Sequence, residues 1–310
     1  MKITNPHDKY FKEIFSRKEE TAALLKGMLP VELKKNIDFD ALKPLKDTYV
    51  DEELKESFSD LVYVTKYRGK TEIMITLLFE HKSRPVDYPH LQLLRYLLRL
   101  WEAGIKQKKG LTPVIPIIFY HGKEPWKEQR FEDYFEGIDN TLQPFIPSFD
   151  YLLNDLSRYS DEEITGRYTD IITRTALLIF KNIFDEASLQ KKFPYIFYHT
   201  REIENSETGE KFFVATFTYL FNFVEKIDIN TVTETIKTIT EKGGDIAMTI
   251  AAQLERKGRK EGLEKGILKA RRESVINFYK KSGYSADLIA DYLGLDKKFV
   301  EKILKDAKLI

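Results

Sequence analysis

The chain has 310 residues, 42% hydrophobic and 13% aromatic, which excludes a disordered polymer and is enough to bury one large core or two modest ones. Lys and Arg number 50 against 49 Asp and Glu, so the net charge of +1 favours no class of partner, but residues 246–310 carry 15 of the basic and 9 of the acidic side chains, +6, which leaves −5 for residues 1–245. With no cysteine, disulfides, thiolate catalysis and Cys-ligated zinc are excluded.

The N-terminal stretch MKITNPHDKYFKEIF is charged every few residues where a signal peptide needs an apolar run, and no later run approaches the ~20 apolar residues of a membrane span. A soluble, cytoplasmic protein without membrane contact is the expectation. Phe11, Ile14, Phe15, Ala22, Leu25 and Met28 recur at helical spacing up to Pro30, which predicts one or two amphipathic helices. In FSDLVYVTKYRGKTEIMITLLFEHK the period changes: β-branched and aromatic residues dominate, and Arg68-Gly69-Lys70 supplies a hairpin turn. The second strand, residues 73–79, is apolar throughout, as expected of a central strand covered on both faces. Leu91, Leu94, Leu97, Leu98 and Trp101 predict the buried side of a following helix, and TPVIPIIFYHG another buried strand. Helix, hairpin, helix and strand together predict an α/β or α+β sandwich.

Beyond residue 150 the pattern is helical. DIITRTALLIFKNIF and KFFVATFTYLFNFVEKI carry apolar stripes, separated by the polar loop REIENSETGE. Gly258, Gly262 and Gly266 then punctuate a charge-rich stretch that reads as a weak, solvated helix and linker, each glycine costing ~1 kcal/mol relative to alanine. The expected organisation is a domain over residues 1–150, a helical extension over 151–245 and a basic helical module over 246–310. In that module Ala290, Gly294 and Val300 have the spacing of a helix-turn-helix, with a small residue at the helix crossing, glycine in the turn and an apolar anchor in the second helix. Its charge suits DNA, although a dimerisation or regulatory hairpin fits the same pattern. Met248 at its start also offers an origin for a separate short product; burial in a core is its ordinary role.

The chemistry is concentrated where the apolar strand ends. Alternation puts Glu80 and Lys82 on one face and His81 on the other, and a hairpin turning at 69–71 places Asp60 opposite Glu80. Two carboxylates beside an ammonium are costly unless a cation offsets their repulsion, and Mg²⁺ takes one or two carboxylates together with substrate phosphate. Lys82 would then orient or deprotonate a water or stabilise charge on the phosphate. A lone Glu-x-Lys pair is ordinarily a surface ion pair worth ~0–1 kcal/mol. The signal lies in its combination with Asp60, the apolar strand and Gln92 in the next helix.

These segments, SDLVYV, LLFEHKS, HLQLLRY and PIIFYHGKEPW, in that order after PHDKYFKEIF, resemble the recombination-promoting nuclease (Rpn) family, a transposase-like branch of the PD-(D/E)XK nuclease superfamily. The likeness is specific over residues 5–130. It implies a restriction-endonuclease-like mixed β-sheet flanked by helices and followed by an all-helical part, and a divalent-metal-dependent DNA endonuclease linked to recombination or mobile elements. It also implies Asp60 and Glu80 as metal ligands, Lys82 as catalytic lysine and Gln92 as the helix-borne polar residue. Mg²⁺ is the expected cation, with Mn²⁺ or Ca²⁺ as alternatives, DNA the partner, and a homodimer the assembly that analogy with the superfamily offers. The superfamily's proline is missing, since Ser59 precedes Asp60. The alternative is a DNA-binding transposition-associated or regulatory protein with a vestigial site, which the intact Asp60, Glu80 and Lys82 disfavour.

Other polar residues have plainer readings. Asp8 with His7 reads as a helix cap, Glu13 as solvated or, by the resemblance, a further acid at the site, His81 as facing helix packing, and His121 as either a structural histidine or one that approaches the site. Arg95 and Arg99, four apart, suit phosphates or a polar helix face.

Overall fold

The computed structural model describes residues 5–45, 61–80, 85–224 and 227–310, with the backbone alone at Phe79 and Glu80. The N-terminal apolar spacing forms two helices, α1 (Pro6–Phe15) and α2 (Lys18–Met28), which bury Phe11, Ile14, Phe15, Leu24 and Leu25. The N-cap of α1 is Asn5, in the left-handed conformation and without a side-chain cap bond. Asp8 instead lies in the first helical turn, where its carboxylate faces the positive end of the helix and pairs with Lys12 at 3.3 Å, so the capping role expected of His7 and Asp8 is not the one observed.

A short helix, α3 (Val31–Asn36), leads into a strand that the sequence pattern did not announce, β1 (Ile37–Pro44). Its alternation is broken because the Asp38 carboxylate accepts from the backbone N–H groups of Asp40 and Ala41, and the pairing with its neighbour shifts between Asp38 and Lys43. The hairpin follows as β2 (Leu61–Tyr67) and β3 (Thr71–Glu80). Arg68 and Gly69 take φ of 51° and 69°, and the Lys70 N–H closes the turn on the Tyr67 carbonyl. Because Tyr67 pairs with Thr71 and Leu61 with Leu77, the register is displaced by two residues from one that sets position 60 opposite 80.

Helix α4 (Pro89–Lys106) carries the chain across to β4 (Val114–Tyr120), parallel to β3, and β5 (Leu152–Asp155) adds a further parallel strand. Among the described residues the sheet has the order β1-β2-β3-β4-β5, antiparallel through the first three strands and parallel through the last three. It is an α/β fold with a mixed sheet flanked by helices. The face of α4 that packs inward is rotated from the expected one: Leu97 is buried as expected, but with Leu93, Tyr96, Leu100 and Gly104, whereas Leu94 and Trp101 are half-buried and Leu91 and Leu98 are exposed.

Helices α5 (Asp161–Arg167), α6 (Ile171–Asn182), α7 (Glu186–Phe197), α8 (Glu207–Phe223) and α9 (Ile229–Ile239) follow. Ser160, Asp170, Asp185, Ser206 and Asp228 cap these five helices in turn through side-chain oxygens. Of these, α6 and α8 join the core built by α1 and the sheet. Tyr10 of α1 stacks on Tyr219 of α8 at 4.4 Å, and Phe180 of α6 lies 6.2 Å from Phe119 of β4.

Residues 1–248 and 249–310 form two compact units. The division falls within α10 (Glu241–Ser282), which continues without a break through Gly258, Gly262 and Gly266 because glycine weakens a helix without removing a backbone donor. In the second unit α11 (Ala286–Leu293) and α12 (Lys297–Asp306) are joined at Gly294, whose φ of +60° is the left-handed C-cap that glycine tolerates best. Ala290, Val300, Ile289, Ile303 and Leu304 close on Val275 of α10.

Candidate active site at the strand ends

A helix that joins two parallel strands runs back along the sheet, so its first turn lies beside their C-terminal ends. This topology gathers several of the residues singled out from the sequence. Glu80 is the last residue of β3 and pairs with Tyr120, the last of β4, which in turn pairs with Asp155 of β5. Gln92 occupies the first turn of α4 and is half-buried. His121 follows Tyr120, and its ring lies 5.0 Å from that of His7, which brings the start of α1 to the same end of the sheet. Asp60, His81 and Lys82 lie outside the described residues.

Both histidines are held by packing. The Nε2–H of His121 donates to the Phe180 carbonyl at 2.6 Å, and its ring stacks on Phe184. His7 Nδ1 is hydrogen-bonded at 2.6 Å to the Tyr219 hydroxyl, a phenol that burial keeps protonated by raising its pKa well above 10. The plain structural reading of His121 fits this cage. Glu13 is exposed and ion-pairs with Arg17 at 3.5 Å, Arg95 is exposed and Arg99 half-buried.

Two clefts were not legible in the sequence. One, between α1 and α8, is bounded by Lys9, Tyr10, Glu13, Glu210 and Lys211, and Gln92 is not among its described lining residues. The other adjoins the strand ends, between the segment before α4 and the chain beyond β4, and is lined by Asp87, Tyr88, Glu124, Lys127, Asp133 and Glu136. Its acidic lining favours cations over bare phosphate. The carboxylates come from segments up to about 50 residues apart, so no local pattern announces them. Among the described residues no group of three His, Asp or Glu side chains is disposed to hold a metal ion.

Beside this cleft His90 is buried against Phe131, which stacks on it at 5.3 Å, and its Nδ1 is 2.8 Å from the Tyr134 hydroxyl. Burial lowers the His90 pKa, against the opposing pull of Glu132, Asp150 and Asp133. The unfolded chain therefore binds this proton more readily than the folded one. Stability is full above the ordinary histidine value of about 6.5 and is lost as pH falls from there towards the lower folded value. Thermal melts at about pH 7.5 and about pH 5.5 are expected to show a lower midpoint in acid, and His90→Gln to reduce that difference.

The family profile described as "Putative transposase, YhgA-like" matches residues 5–211. Recombination-promoting nuclease RpnD of Escherichia coli O157:H7 is 28% identical over 166 residues, 52% of this chain and 62% of its own length. Recombination-promoting nuclease RpnA of E. coli K12 is 30% identical over 123 residues, 39% of this chain and 41% of its own. The chain thus spans less than two thirds of the length of either nuclease. Inactive recombination-promoting nuclease-like protein RpnE, also of E. coli K12, is 25% identical over 272 residues, 85% of this chain and 86% of its own length. No solved structure matches, and no described helix is long and apolar enough to cross a membrane. With two thirds of its residues matched by one profile, the chain belongs to the YhgA-like transposase family, among whose relatives are recombination-promoting nucleases.

Proposed function

We propose that the protein is a divalent-metal-dependent endonuclease that hydrolyses phosphodiester bonds in DNA at the end of β3, in the service of recombination or mobile-element processes. The observation that carries this reading is the position of Glu80: it ends a strand buried along residues 73–78, level with the end of parallel β4 and beside the first turn of α4, where open α/β sheets place their sites. Lys82 follows two residues later and Asp60 immediately precedes β2 in the chain. A pair of carboxylates offers the hard oxygen donors that Mg²⁺ or Mn²⁺ prefers, so Asp60 and Glu80 are the residues that would hold the ion. A bound divalent cation neutralises phosphate oxygens and acidifies water. Lys82 supplies a positive charge to the phosphate oxygens or orients the attacking water, and the Gln92 amide, with both a donor and an acceptor, positions Lys82 or that water. The basic second unit is the part suited to holding DNA or to regulating the nuclease unit.

A second reading, a transposition-associated or regulatory protein with a vestigial site, is favoured by the long alignment with the inactive relative. Purified protein incubated with supercoiled plasmid separates the two. Nicking that needs Mg²⁺ or Mn²⁺ and disappears in Asp60→Ala supports the nuclease; plasmid left intact by the wild-type chain with either cation supports the vestigial site.

A further inference from the structure

Helix α4 is apolar on two sides. Its inner side packs through Leu93, Tyr96, Leu97 and Leu100. On the other side Leu91, Leu94, Leu98, Trp101 and Ile105 recur at spacings of three, four, three and four. Leu91 and Leu98 are each 49% exposed and Ile105 59%, while Leu94 and Trp101 are half-buried at the edge of the stripe. Turned by 100° per residue, this stripe lies about 130° from the inner one, so a single layer of partners cannot cover both. A continuous three-four repeat is the pattern by which one helix seats another, and exposed apolar stripes of this kind on soluble chains mark association surfaces.

The charges beside the stripe identify the occupant. In heptad terms Leu91, Leu98 and Ile105 take the first core position and Leu94 and Trp101 the second. One flank is then Arg95 and Glu102, both exposed and seven residues apart, and the other is Leu97 and Gly104, both buried in the chain's own core. A parallel pair sets one flank against the opposite flank of its partner, which would leave both charges facing apolar positions. An antiparallel pair sets like flanks together. With Leu98 level with the partner's Trp101, Leu94 falls level with the partner's Ile105 and Arg95 beside the partner's Glu102, each twice by symmetry. The stripe and its charges are therefore complementary to themselves when reversed.

We infer that α4 is the seam of a two-fold dimer, pairing antiparallel with α4 of a second copy. The seam is about two heptads long, which suits a weak, concentration-dependent association. It rests on no part of the nuclease reading.

Sedimentation of the full chain from low to high micromolar concentration reads the result. Wild type is expected to rise from the mass of one chain to that of two, and Leu98→Glu, a change at an exposed position, to remain monomeric with an unchanged melting temperature. Arg95→Glu and Glu102→Arg each place like charges across the seam and are expected to be monomeric alone. Mixed in equal amounts they restore both opposite-charge pairs, so dimer should return in the mixture. Wild type that stays monomeric throughout, or a dimer indifferent to Leu98→Glu and to both charge reversals, overturns the pairing. So does a monomer that Leu98→Glu destabilises, since the stripe is then covered within its own chain.

Discussion

Alanine at Lys82 is expected to slow plasmid cleavage by ~10²-fold or more while leaving the affinity for Mg²⁺ and DNA nearly unchanged. A positioned group that moves a proton or meets developing charge contributes on that scale, and its removal takes no ligand from the ion. Glu80→Ala should behave differently, losing metal affinity together with cleavage because one of the two proposed carboxylates is gone. Activity alone does not separate these roles, since loosening the end of the sheet by either change also lowers it. Calorimetric titration with Mg²⁺ of both folded variants, beside wild type, makes the distinction. If Lys82→Ala abolishes metal binding while Glu80→Ala retains it, or if both cut at the wild-type rate, the assigned roles are wrong.

The second large effect concerns the core that presents the strand ends. Phe180 of α6 is fully buried, with ring centroids 5.1 Å from Tyr10, 6.2 Å from Phe119 and 5.7 Å from Tyr219. Its carbonyl accepts the His121 hydrogen bond and its ring lies edge-on to His121 at 5.0 Å. Phe180→Ala removes an aromatic ring from the meeting point of α1, α6, α8 and β4, where rigid backbones on all sides limit collapse. The expected cost is ~3–5 kcal/mol. For a unit of this size that corresponds to a midpoint lower by roughly 6–20 °C. Phe180→Leu, which keeps most of the apolar volume, should lose clearly less, and a scan in which the two variants melt together would show that the ring packing does not bear on stability.

Much of the fold is legible one segment at a time. Helical spacing marks α1, α2, α6 and α8, the change of period and Arg68-Gly69 mark the β2-β3 hairpin, and the unbroken apolar run marks β3 as a central strand. Each depends on geometry that repeats within a few residues, so sequence suffices. Strand β1 escaped because the Asp38 side chain bonds to its own backbone and disturbs the alternation, and β5 because four residues are too few to display a period.

At the site, the end of the apolar strand together with the family resemblance singles out Asp60, Glu80, Lys82 and Gln92 as candidates for phosphodiester chemistry. That Glu80, Gln92, His7 and His121 belong to one end of the sheet follows only from the parallel pairing of β3 with β4 and from the packing of α1 on α6 and α8. Helix α4 shows the division most clearly. Its sequence determines two apolar stripes, since both have helical spacing, but not which of them meets the core. The tertiary structure chose the stripe with Leu93, Tyr96, Leu97, Leu100 and Gly104, where Gly104 lets the Gly110 carbonyl approach so closely that a Cβ would meet it at 2.6 Å. Periodicity is a property of one helix, whereas the choice of face depends on the shape of what it packs against.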